Sequence, residues 1–189
     1  VTICDPELTV GMPQKITAGT GMDALAHCLE AYCSPFYHPM GEGIAVEGIR
    51  LVKDALPRAF KDGKDLEARA HMMSAAAMGA TAFQKGLGVV HSLAHPLSSL
   101  LDTHHGLANA VNLPYGMRFN VAGFEEKFRR MARTLNLKDE TGEGIVQFLF
   151  ELNTKIGIPH KLRDIGVNET NMDELADLAI ADFAHPNNP

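Results

Sequence analysis

Cysteine is scarce in this sequence, and what there is does not fall into a pairing motif. The three residues are Cys4, Cys28 and Cys33. An odd number with no C-x-x-C indicates neither a disulfide framework nor a thiolate zinc site, and a reducing cytoplasm is the simplest setting. Long apolar runs are missing too. No stretch of about 20 residues is both apolar and free of charge, so no transmembrane helix and no membrane partner are expected. The start, Val1-Thr2-Ile3-Cys4, has neither an initiating Met nor a charged leader ahead of an apolar segment. A signal peptide is therefore not indicated, and the chain reads as the middle of a longer one. Basic charge is in the minority, with Lys plus Arg at 17 against Asp plus Glu at 23 and a formal net charge of −6. With no basic stripe, nucleic acid is not an expected partner. No β-α-β alternation occurs after residue 5, and no repeat, low-complexity stretch or flexible linker is found.

What is present is helical patterning over a chain of 189 residues, 46% of them apolar, which is enough for one substantial core. Residues 1–4 read as the end of a strand, and 5–14 as a loop punctuated by Pro6, Gly11 and Pro13. Residues 17–32 are apolar on nearly every face, as in a helix inside a domain. Residues 41–60 form an amphipathic pattern that Pro57 bends or ends. Residues 65–84 predict a third helix. Its uncharged, Ala-rich second half, 72–83, is expected at the centre of the bundle. Helices follow over 89–101, from His105, and over 124–135, 141–156 and 168–182, the last with Asn168, Asn171 and Asp173 as rival caps. The expected fold is all-α: a helical bundle over 14–189, preceded by an extended stub and crossing loop over 1–13.

Histidine is the compositional oddity. Of nine, His27, His91, His95, His104 and His105 fall in two short segments. Asp23 and His27 stand four apart, so a carboxylate and an imidazole share one face of an otherwise apolar helix. An unpaired buried carboxylate is very costly, and either a metal ion or a plain Asp–His hydrogen bond in the core would offset that cost. His91 and His95 repeat the spacing in Gly86-Leu-Gly-Val-Val-His-Ser-Leu-Ala-His-Pro96. A metalloprotease needs Glu directly after the first His, and Ser92 stands there instead. His104-His105-Gly106 lies at a turn, which suits an exposed polar role for His104. One carboxylate with three imidazoles suits Fe(II), Zn(II) or another divalent ion, with positions left open for a substrate oxygen.

Residues Thr17-Ala-Gly-Thr-Gly-Met-Asp-Ala-Leu-Ala-His-Cys-Leu-Glu-Ala-Tyr32, Gly86–Leu97 and His105-Gly-Leu-Ala-Asn-Ala-Val-Asn-Leu-Pro114 resemble the iron-containing (group III) alcohol dehydrogenases. The Asp5-Pro6-x-Leu8…Pro13 loop looks like that family's inter-domain crossing, and Asn187-Asn188-Pro189 is similar to a segment near its C-terminus. The resemblance implies a dehydroquinate synthase-like helical domain with Asp23, His27, His91 and His105 as metal ligands. It implies His95 beside the metal, near nicotinamide and substrate, Phe83 in the wall of the substrate pocket, and Leu8 touching the nucleotide. It carries no role for His104. The family's glycine-rich pyrophosphate segment has no counterpart here, so the N-terminal α/β nucleotide-binding domain is missing from this sequence.

The expected activity is that of an NAD(P)-dependent dehydrogenase acting between a primary or short-chain alcohol and its aldehyde or ketone, with this part inactive alone. The apolar wall left by the missing domain is expected to find partners, so a homo-oligomer is expected. Two rivals are a helical metal-binding domain without dehydrogenase activity and an HD-type metallo-phosphohydrolase. The second needs a His-Asp dipeptide, and none occurs.

Overall fold

The computed structural model describes residues 2–189. Among them no strand occurs, and the order is eight α-helices with short 3-10 turns between. The expected strand end is therefore not found over residues 2–4, and Val1 lies outside the described residues. Asp5 is extended (φ −103°, ψ 109°) and caps a 3-10 turn, Pro6–Thr9, where a plain loop was expected.

Helix α1, Gln14–Cys33, is buried along almost its whole length, with Met22, Leu25, Ala26, Cys28, Ala31 and Tyr32 fully enclosed. Its last carbonyls meet a cation: Lys85 Nζ donates to the oxygens of Ser34 (2.6 Å) and Tyr32 (3.4 Å), which suits the negative end of a helix. Helix α2, Pro39–Lys61, begins where His38 Nδ1 accepts the Gly41 N–H at 2.8 Å. It runs through Pro57, because Pro57 lies between exposed Asp54 and Arg58. The backbone bond that Pro57 removes thus opens toward water.

Helix α3, Leu66–Ala82, corrects an expectation. Only Ala75, Gly79 and Ala82 of its second half are buried, while Ser74, Ala76, Ala77, Ala80 and Thr81 are exposed. A run of small uncharged residues has no amphipathic signal to say which side faces in. Its inner edge serves close approach: a Cβ at Gly79 would stand 3.0 Å from the Cβ of His27. A 3-10 turn over Phe83–Lys85 follows and stops at Gly86, whose φ of +128° suits only glycine.

Helix α4, Val89–Leu101, ends on left-handed Asp102, and α5, His105–Val121, starts three residues later. Helices α6 (Glu125–Thr134), α7 (Gly142–Lys155) and α8 (Met172–Ala181) complete the set. Asn168 caps the 3-10 turn Glu169–Asn171 rather than α8 itself. The main core joins α1 and α2 to α5, α6 and α7, and a smaller one joins α4 and α5 to α8 through Ala94, Leu97, Ala108 and Leu175. Among the described residues no helix is long and apolar enough to cross a membrane.

Helices α1 and α5 meet so closely that a Cβ on Gly106 would overlap the carbonyl of Gly19. Gly43, exposed in α2, has nothing within 4 Å of the same point. Gly106→Ala should therefore destabilise by about 1–3 kcal/mol through overpacking, while Gly43→Ala should stabilise by about 0.5–1 kcal/mol. Urea unfolding of the two variants checks both signs.

Candidate metal centre

Three helices each contribute a pair of polar side chains four residues apart: Asp23 and His27 from α1, His91 and His95 from α4, and His105 and Asn109 from α5. The spacing places each pair on one helix face, and the faces meet. One ligand atom each of Asp23, His27 and His91 lies within 4.8 Å of the others. Asp23 Oδ1 is 3.7 Å from His91 Nε2 and 3.4 Å from His105 Nε2, and Asp23 Oδ2 is 3.9 Å from His27 Nδ1. The rings of His27 and His91 are stacked with centroids 4.8 Å apart, and His95 stacks on His105 at 5.5 Å.

Asn109 was not singled out by the sequence reading, although it repeats the four-residue spacing after His105. Its Nδ2 lies 2.6 Å from Asp23 Oδ1, 3.0 Å from His105 Nε2 and 3.1 Å from His91 Nε2. It thus reaches the same atoms that a cation would, while its Oδ1 is buried without a hydrogen-bond partner.

Glu30 was also missed. It is 2% exposed and accepts from the backbone N–H of Val90 (2.6 Å) and His91 (3.3 Å) and from His91 Nδ1 (2.5 Å). One carboxylate thereby caps α4 and orients the imbedded imidazole, the arrangement expected behind a histidine that ligates through its other nitrogen. In the sequence Glu30 reads as one charge in an apolar helix, 61 residues from its partner. The C-terminal segment adds two more contacts with no local signal. Asp182 Oδ2 is 2.8 Å from His95 Nδ1, and Asn188 Oδ1 accepts the Val89 N–H at 3.0 Å.

The other expected residues fall as follows. Phe83 packs on His27 with ring centroids 5.0 Å apart. Leu8 is 82% exposed on its 3-10 turn. His104 caps α5, its Nδ1 accepting the Leu107 N–H at 3.3 Å.

Burial alone pushes the Asp23 carboxyl up, but the neighbouring His91 imidazole, the nearby His27 and the Asn109 amide outweigh it and hold the group at about 2. Burial pushes His27 and His105 below the ordinary imidazole value, and Asp23 only partly offsets this. Burial opposes charge on His91 as well, yet Asp23 and Glu30 together raise it to about 9.

The donor set fits a divalent ion: an ionised carboxylate and imidazole nitrogens converge, and Asn109 Oδ1 remains an orphaned acceptor beside them. Asp23, His27, His91 and His105 could hold it.

The all-α domain that carries this centre is matched by known proteins. A family model described as "Fe-containing alcohol dehydrogenase family, C-terminal" matches residues 17–189. The chain is 42% identical over 196 residues to the 4-hydroxybutyrate dehydrogenase of Cupriavidus necator, covering 99% of this chain and 51% of that protein. A crystal structure of 1,3-propanediol oxidoreductase superposes with a TM-score of 0.94 at 38% identity, covering 98% of this chain and 50% of that one. The sulfoacetaldehyde reductase of Bifidobacterium kashiwanohense, solved with NAD+, superposes with a TM-score of 0.88 at 28% identity over 98% of this chain and 49% of its own. The chain belongs to the Fe-containing alcohol dehydrogenase family and spans about half the length of these relatives.

Two predictions follow from the centre's electrostatics and its support. Metal ligands must give up their protons to bind. In the ion-free chain His91 keeps its extra proton up to about 9, whereas His27 and His105 are held low and Asp23 is ionised near 2. Zn(II) binding at neutral pH should therefore release about one proton, and affinity should rise about tenfold per pH unit until pH passes about 9, then level off. Calorimetry in buffers of different ionisation enthalpy reads both quantities. Separately, Glu30→Gln puts an amide N–H where His91 or the α4 backbone needs an acceptor, and should weaken Zn(II) about 10–100-fold. Unchanged affinity would show that Glu30 serves α4 alone.

Proposed function

We propose that this chain is the metal-binding half of an NAD(P)-dependent alcohol dehydrogenase that interconverts a primary or short-chain alcohol and its aldehyde or ketone. The convergence of Asp23, His27, His91 and His105 from three helices, on a chain belonging to this family, carries the reading. These four residues would hold Fe(II), or Zn(II) or another divalent ion in its place. When bound, such an ion supplies Lewis acidity toward a hydroxyl or carbonyl oxygen.

The chain's own groups do the rest of the work on this side of the reaction. Glu30 keeps His91 from turning. Phe83, packed on His27, walls the site with an apolar face that excludes water from the reacting carbon. His95, beside the cluster but not counted among the four, accepts the substrate hydroxyl proton on its Nε2. A nicotinamide cofactor, when bound, would supply the hydride-accepting chemistry.

The nucleotide is held by an N-terminal α/β domain, with residues 1–13 as the stub and crossing between it and the helical domain, 14–189, and with Leu8 and His95 facing the cofactor. Leu8 is 82% and Phe183 73% exposed, so apolar surface is available for that domain and for a second copy in a homo-oligomer. A cytoplasmic setting suits this chemistry.

The assay is NADH oxidation with a short aldehyde. The Fe(II)- or Zn(II)-loaded polypeptide that joins this chain to a nucleotide-binding domain should turn over, and this chain alone should bind metal without turnover. A loaded, joined polypeptide with no activity toward any short aldehyde would leave a metal-binding domain of another kind.

A further inference from the structure

His95 is held by a residue from the far end of the chain. Its Nδ1 lies 2.8 Å from Asp182 Oδ2. The other carboxylate oxygen, Oδ1, accepts the backbone N–H of Ala184 at 2.8 Å, so the carboxylate is itself fixed. The ring of Phe183, between them in sequence, stacks on His95 with centroids 5.3 Å apart and an interplanar angle of 24°. Farther along, the Asn188 side chain bonds to Asn120 of α5 at 2.9 and 3.1 Å and caps α4 at Val89, which ties the segment to both helices. The pair is sheltered, with the Asp182 side chain 12% and the His95 side chain 28% exposed.

A carboxylate oxygen accepts hydrogen bonds and has none to give, so the proton of the neutral imidazole must sit on Nδ1. Nε2 is then left as the lone-pair nitrogen, and no hydrogen bond to it is present among the described residues. We propose that Asp182 is a positioning residue for the reaction: it fixes the tautomer and the ring orientation of His95 so that Nε2 faces a substrate hydroxyl as an acceptor. The inference rests on the proton-relay reading of His95 given above. In the step, the substrate O–H bond breaks, an Nε2–H bond forms, and the electron pair stays on oxygen. Asp182 touches neither substrate nor metal and acts only through the ring.

The test exploits the Ala184 contact. In Asp182→Asn the backbone N–H of Ala184 keeps its acceptor only if the amide turns Oδ1 toward it. The amide NH2 then faces His95 Nδ1 as a donor and should force the opposite tautomer. Two-bond 1H–15N spectra of the Zn(II)-loaded, 15N-histidine-labelled chain read this directly, with the His95 signal assigned by its loss in His95→Gln. Wild type should show the Nδ1–H form, Asp182→Asn the Nε2–H form, and Asp182→Ala a mixture. In the full-length polypeptide, Asp182→Asn should lower kcat by about 10²-fold with KM nearly unchanged, and should cost nothing further in a His95→Gln background. An unchanged tautomer in both Asp182 variants, or an equal loss of kcat with and without His95, overturns the proposal. Full turnover by His95→Gln would instead overturn the relay reading, while the spectra still judge the Asp182–His95 pairing on their own.

Discussion

The buried carboxylate of Glu30 is the contact on which the centre depends. At 2% exposure it has no water to solvate it, and an unsatisfied buried carboxylate costs far more than one hydrogen bond returns. It is satisfied by the first turn of α4, through the N–H groups of Val90 and His91, and by the ring of His91. The start of α4 and the orientation of one imidazole are thereby set by a single group on α1. Helix α4 carries no side-chain cap of its own residues at Gly88, and Glu30 and Asn188 fill that gap from distant parts of the chain.

Close packing then brings the third helix in. Gly106 lets α5 approach α1 until a side chain there would strike the Gly19 backbone, and Gly79 lets α3 close on His27. These approaches place His105 3.4 Å from Asp23 and hold the Asn109 amide nitrogen within 3.1 Å of Asp23, His105 and His91. Like an ion, the Asn109 amide presents partial positive charge to the Asp23 carboxylate and to the ring nitrogen of His105 in a half-buried site. The opposing shifts of His91 and of its neighbours His27 and His105 report the same crowding: few charges fit in a small volume, and the two carboxylates beside His91 decide where the proton stays.

Much of the helical layout was legible. The apolar run of α1 and the alternation of faces in α2 both act through local chain chemistry, so boundaries fell within a few residues. The miss on α3 has a physical cause. Ala76, Ala77 and Ala80 are as uncharged as Ala75 and Gly79, and nothing in their side chains distinguishes a face that touches His27 from one that meets water. The expected strand end had the same weakness, since β-branched residues favour extension but need a partner strand to form a ladder.

For the centre itself, the sequence alone determined the pairs: Asp23 with His27, and His91 with His95, because a four-residue spacing on a helix is a local geometric fact. Only the tertiary structure decided which pairs meet, and it added Glu30, Asn109 and Asp182, each of which acts on a histidine. Asp182 and Glu30 look like ordinary acidic residues in the linear chain, and their partners lie 87 and 61 positions away. A hydrogen bond requires two groups to come within about 3 Å, and a one-dimensional pattern holds no distance between segments that only packing brings together.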